Sequence, residues 1–149
     1  MRKDLMLLAA LASALACGGG DKGASPDTSA AAAATATPNG EVKPAAGGKV
    51  IVVEATTDEK GNYFTPREIE AHQGDVLRFT LKLGVHNVHF LPDSNPGKKN
   101  LPPPSEMLQL PGQTIDIPVN FEPGEYYFQC DPHAALGMTG KLEVEDEKH

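Results

Sequence analysis

The sequence predicts an all-β protein, a β-sandwich behind an N-terminal leader and a disordered tether. Three observations carry that prediction. From Lys49 onward, short runs alternate apolar and polar residues at the period of two expected of a half-buried strand. Gly-Asn, Gly-Asp, Pro-Gly and Glu-Pro-Gly sequences punctuate those runs as turns. No amphipathic helix of ordinary length interleaves with them, so the βαβ alternation of a helix-covered parallel sheet is missing.

The first element is a leader, residues 1–16. Arg2 and Lys3 make a positive start, and Leu5 to Ala16 is an apolar run of signal-peptide length, too short to span a membrane as a mature helix. The stretch "SALAC" that ends at Cys17 resembles the lipobox of bacterial lipoproteins, with Ala14 where that family prefers leucine. The resemblance implies cleavage before Cys17, lipidation of Cys17, and a chain carried across the bacterial inner membrane to a periplasmic or cell-surface site and held there by its lipid. Stable anchoring takes more than one acyl chain, as lipoprotein cysteines have. Residues 17–48 follow as a linker. Beyond Cys17 they are Ala, Gly, Ser, Thr, Pro and a few charges, without an aromatic residue and with Val42 as the one large aliphatic. That composition buries too little apolar surface to offset the entropy of ordering, so it reads as a tether.

The domain proper is read as residues 49–149. "KVIVVEAT" opens its first strand. In "VLRFTLKL", Leu77, Phe79, Leu81 and Leu83 alternate with Arg78, Thr80 and Lys82. "VHNVHFL" follows Gly84 as a further strand, and residues 92–106 form a long irregular connection. "QTIDIPVNF" alternates again, with Pro118 pointing to a sheet edge. "GEYYFQC" and "GKLEVE" complete the set.

The formal net charge of -7 excludes a nucleic-acid-binding role and fits a solvated acidic surface that would attract a basic partner. The chain has two cysteines. With Cys17 lipidated, Cys130 has no disulfide partner, and a lone thiol in an oxidising compartment must be buried, reactive or metal-bound.

Chemistry concentrates in "QCDPHAALGM", residues 129–138. In a strand "GEYYFQC", Tyr126, Phe128 and Cys130 share one face and Glu125, Tyr127 and Gln129 the other. The charge on Glu125 marks its face as outer, so Cys130 points inward. Pro132 ends the pairing and Gly137 turns the chain back, which brings His133 and Met138 toward Cys130. "VHNVHF" supplies the missing imidazole: His86 shares the parity of Val88 and Phe90, whereas His89 falls on the outer face. His72 and His149 receive no role. A thiolate, two imidazoles and a thioether make a poor zinc set and suit copper, as a trigonal Cys-His-His group with a weak axial methionine. A Cys-His nucleophilic pair leaves His86 and Met138 unexplained.

At these residues the chain resembles the small blue-copper proteins, the cupredoxins. The C-x2-H-x4-M spacing of "CDPHAALGM" is similar to that of the plastocyanin and pseudoazurin branch, "HNVHF" to the family's upstream histidine motif, and "GMTGKLEV" to its last strand. The resemblance implies a Greek-key sandwich that holds one type 1 copper ion through His86, Cys130, His133 and Met138. It implies that Asn87 ties the two ligand loops by hydrogen bonds, with Asp131 as partner where the family usually has Ser or Thr. It also implies a monomeric carrier of single electrons rather than an enzyme, working between redox proteins such as a c-type cytochrome or a terminal oxidase. A module for copper delivery or storage is the alternative. Pro132, Ala134, Ala135 and Leu136 carry no charge, and the resemblance makes them an exposed docking patch around His133.

Overall fold

Alternation decides which side of each strand is dry, and burying those sides against each other builds the molecule. The computed structural model describes residues 40–146, so the leader, Cys17, the linker up to residue 39 and His149 lie outside the described residues. Seven strands form among the described residues: β1 (Val50–Asp58), β2 (Gly61–Thr65), β3 (Glu68–His72), β4 (Val76–Leu83), β5 (Thr114–Pro118), β6 (Gly124–Gln129) and β7 (Thr139–Glu145). They make two sheets, in the orders β2-β1-β4-β5 and β3-β7-β6. β1 pairs with β4 and β3 with β7 in parallel, and the other neighbours are antiparallel. β5 is an edge strand and ends on Pro118, where a missing N–H removes no ladder bond.

The inner faces meet in one apolar core. Phe64, Phe79 and Phe128, from β2, β4 and β6, pack edge-to-face at centroid separations of 5.2–5.7 Å. Phe90, Phe121 and Tyr126 extend that cluster. Gly140 is glycine because a Cβ there would run into the Phe128 ring.

β1 and β4 both start at one pole, where Val76 N–H reaches Lys49 O and Lys49 N–H reaches Asp75 Oδ1. β4 and β6 end, and β7 begins, at the opposite pole, where the chemistry gathers. Near that pole the pairing of β1 with β4 slips by one residue, so that Ala55 faces Leu81 and Thr56 faces Leu83. The slip turns the end of β4, so Leu83, assigned inward by parity, is 54% exposed.

The structure adds to the sequence reading elsewhere. Residues 85–91 are not a strand; they touch the sheets only through isolated bridges, His86 with Leu108 and His89 with Gln129. β2 and β3 were not legible as strands. The 92–106 connection is pinned: Asn95 pairs with both the N–H and the carbonyl of Tyr127, and Ser105 exchanges bonds with Val88. The end of the linker is attached as well. Val42 N–H donates to Asp116 at 2.7 Å, Arg78 donates to Glu41 at 3.2 Å, and Ala45 N–H reaches Gly74 O at 2.9 Å.

Candidate metal centre

Cys130 caps the end of β6, fully buried on the face of Tyr126 and Phe128. Pro132 follows in a 3-10 turn, Asp131–Leu136, closed by Gly137 at φ 90°. Three backbone bonds knit this loop: His133 N–H to Cys130 O, Met138 N–H to His133 O, and Cys130 N–H to Met138 O, each at 3.1 Å. The turn therefore holds Cys130, His133 and Met138 together through main chain alone. Met138 is fully buried where β7 begins.

His86 arrives from the other sheet, past the end of β4, and is buried. Its Nδ1 lies 3.6 Å from Cys130 Sγ and 3.2 Å from His133 Nδ1, while His133 Nδ1 lies 3.4 Å from Sγ. A point equidistant from these three atoms is about 2 Å from each, the length of a metal–imidazole bond and slightly under that of a metal–thiolate bond. Within the described residues this is the one group of three or more His, Cys, Asp or Glu side chains close enough to share an ion. Two nitrogens and a sulfur in that triangle fit copper, and their softness disfavours magnesium or calcium.

The surroundings set the protonation. His86 Nε2–H donates to Leu83 O at 3.1 Å; a carbonyl only accepts, so Nδ1 is left bare toward the sulfur. Burial holds the His86 pKa below its ordinary value, against the pull of that carbonyl, so the ring is neutral and ready for a metal. Burial pushes the Cys130 thiol up, opposed by backbone amides of Asn87 and His133.

Asn87 and Asp131 bind reciprocally. Asn87 Nδ2 donates to Asp131 Oδ2, and Asp131 N–H donates to Asn87 Oδ1, both at 2.8 Å. This pair joins the His86 loop to the Cys130 loop. Asp131 also accepts from Gln129 at 2.9 Å and lies 3.0 Å from His89 Nδ1. Burial pushes its carboxyl up, but the bonds from Gln129, Asn87 and His89 outweigh burial and leave its pKa low. His89 thus sits beside Asp131 and outside the triangle, and His72 pairs with Glu145 at 3.1 Å, far along the β3–β7 edge. Pro132, Ala135 and Leu136 are exposed, Ala134 is half-buried, and Leu136 shows 69% of its surface. Leu83 and Leu110 are further exposed apolar residues that the sequence did not single out.

A β-sandwich with a Cys-His-His triangle at one pole, buried but for the edge of His133, defines a class, the small single-copper β proteins. Residues 51–145 match the family described as copper binding proteins, plastocyanin/azurin family, and the chain belongs to it. Chloroplastic plastocyanin of Hordeum vulgare is 32% identical over 103 residues, covering 66% of this chain and 66% of that one. Plastocyanin of Prochlorothrix hollandica is 30% identical over 103 residues, 67% of this chain and 76% of that one. The chain spans about half of the chloroplastic plastocyanin of Oryza sativa subsp. indica, 54% of it at 36% identity. Among solved structures, an oxidised methionine-to-leucine mutant of amicyanin superposes with a TM-score of 0.52 at 25% identity, over 74% of this chain and 92% of that one. The family and the His-Cys-His group together make a single type 1 copper ion the cofactor.

Proposed function

We propose that the protein is an extracytoplasmic carrier of single electrons, with Cys130, His86 and His133 as the strong copper ligands and Met138 as the weak axial one. The observation that carries this reading is the 3.2–3.6 Å triangle of His86, Cys130 and His133. Bound copper supplies a one-electron Cu(I)/Cu(II) couple. The chain supplies the rest. Cys130, His86 and Met138 are buried, so the chain would shield a bound ion from water and substrate, which favours a carrier over an enzyme. Two sheets and the Asn87–Asp131 clasp hold the donors in one arrangement for both oxidation states. Partly exposed His133, rimmed by Pro132, Ala134, Ala135 and Leu136, is the electron's exit. Redox encounters are small and transient, and an apolar rim allows close approach without desolvating charge. The leader and Cys17 motif support secretion and a lipid anchor, which puts the partners, a c-type cytochrome or a terminal oxidase, at a membrane.

The test is spectroscopic. Cu(II) added to the purified full chain is expected to give strong visible thiolate-to-copper absorption. Cys130→Ser abolishes it, while His89→Ala keeps it. A folded but colourless product, or bleaching by His89→Ala and not by His86→Ala, overturns the ligand set. Met138→Gln, a harder donor, is expected to keep copper and lower the potential in cyclic voltammetry.

A further inference from the structure

The buried histidine of the triangle has a second neighbour that comes from neither ligand loop. Thr57 Oγ1 on β1 lies 3.1 Å from His86 Nε2, the same distance as Leu83 O. The Thr57 hydroxyl is itself committed, donating to Asn62 Oδ1 at 2.6 Å. Asn62 is the residue directly opposite Thr57 across the β1–β2 pair, so the two side chains meet by register. The β1–β4 slip at Ala55–Thr56, immediately before Thr57, brings this position against the end of β4. Gly84, at φ 104°, completes the fit: a Cβ there would stand 2.5 Å from Thr57 Oγ1 and 2.7 Å from His86 Nε2.

A hydroxyl can donate or accept, and a rotating threonine could serve either form of an imidazole. With its hydrogen spent on Asn62, Thr57 has only lone pairs to offer His86. Both partners of Nε2 are then acceptors, and an unprotonated Nε2 has no donor to meet it. We infer that Thr57, oriented by Asn62, is a positioning residue that locks His86 in the Nε2–H form and holds its Nδ1 bare and aimed at the copper position. The inference rests on His86 being a copper ligand. Accepting from Nε2–H also makes the ring a stronger donor through Nδ1 and favours Cu(II). The relay belongs to β1 and β2, strands that supply no ligand, so it couples the metal pole to a hairpin outside the binding loops.

Long-range proton–nitrogen correlation spectra of the metal-free, 15N-labelled full chain report which ring nitrogen carries the proton, without any copper. His86 is expected to be Nε2–H alone. Thr57→Val, near-isosteric and suited to a strand, is expected to expose that proton to faster solvent exchange, to weaken Cu(II) binding about tenfold and to raise the reduction potential. Thr57→Ser restores all three. Asn62→Ala frees the Thr57 hydroxyl to donate and brings an Nδ1–H population into the spectrum. Wild-type His86 protonated on Nδ1, a Thr57→Val chain equal to wild type in exchange and copper affinity, or a Thr57→Ser chain no better than Thr57→Val, each overturns the relay. A His86→Gln chain with wild-type copper affinity and colour overturns the ligand reading instead, and the metal-free spectra still judge the relay alone.

Discussion

At the scale of single residues, the centre is a problem of protons. Cys130 is buried and its thiol is pushed above its ordinary value, so the metal-free site carries a proton that copper must displace. His86 is held below its ordinary value and has no such proton on Nδ1 near neutrality. Loading therefore displaces the thiol proton of Cys130. The sign follows: below the raised thiol pKa, Cu(II) affinity rises with pH by about one order of magnitude per pH unit. Competition titrations from pH 6 to 8 check this, and a flat profile contradicts a protonated resting thiol. The Asn87–Asp131 clasp is the other residue-scale device. Asn87→Ala leaves the Asp131 N–H and carboxylate short of a partner each, at a cost of about 1–3 kcal/mol, read as a lowered urea midpoint of the metal-free chain.

At the scale of elements, strands are held by packing and by the Arg78–Asp116 ion pair. Phe128 precedes the Cys130 loop by two residues and touches rings from β2, β4 and the 85–91 segment. Phe128→Ala is expected to cost about 3–5 kcal/mol, and Gly140→Ala to destabilise by driving a methyl into the same ring. On the outer face of the other sheet, Arg78 of β4 grips Asp116 of β5 through two bonds at 2.7 and 2.8 Å. Asp116 is buried and also accepts from Val42 N–H. Arg78→Met strands that carboxylate, and denaturant unfolding is expected to show a loss of about 3 kcal/mol. Because Asp116 also holds Val42, proteolysis after residue 42 is expected to be faster in the same variant.

At the scale of the whole molecule, the two poles have different duties. Lys49 enters beside Asp75 at one end, and His133 and Leu136 emerge at the other. The chain carries a net charge of -7, while Pro132, Ala134, Ala135 and Leu136 beside His133 carry none. Stopped-flow electron transfer to a basic cytochrome is expected to slow as ionic strength rises. Leu136→Lys is expected to slow it severalfold at constant salt, with spectrum and potential unchanged. A wild-type rate in that variant with every partner tried moves the exit elsewhere.

What the sequence determined by itself was what neighbouring residues decide among themselves. The period of two in β4, the edge proline of β5, the inward parity of Cys130, and the Cys-x2-His-x4-Met turn are set within a few bonds and were legible. Parity favoured His86 over His89 by treating residues 85–91 as a strand, which they do not form; loop packing is what places His86 in the triangle and His89 beside Asp131. Register is different, because it depends on the packing of segments far apart in the chain. Nothing local announces that Leu83 turns outward where β1 and β4 slip, that Glu41 and Val42 close over Arg78 and Asp116, or that β1 brings Thr57 to His86 from 29 positions away. Those contacts exist because two sheets bury their apolar faces together, and only the assembled sandwich has them.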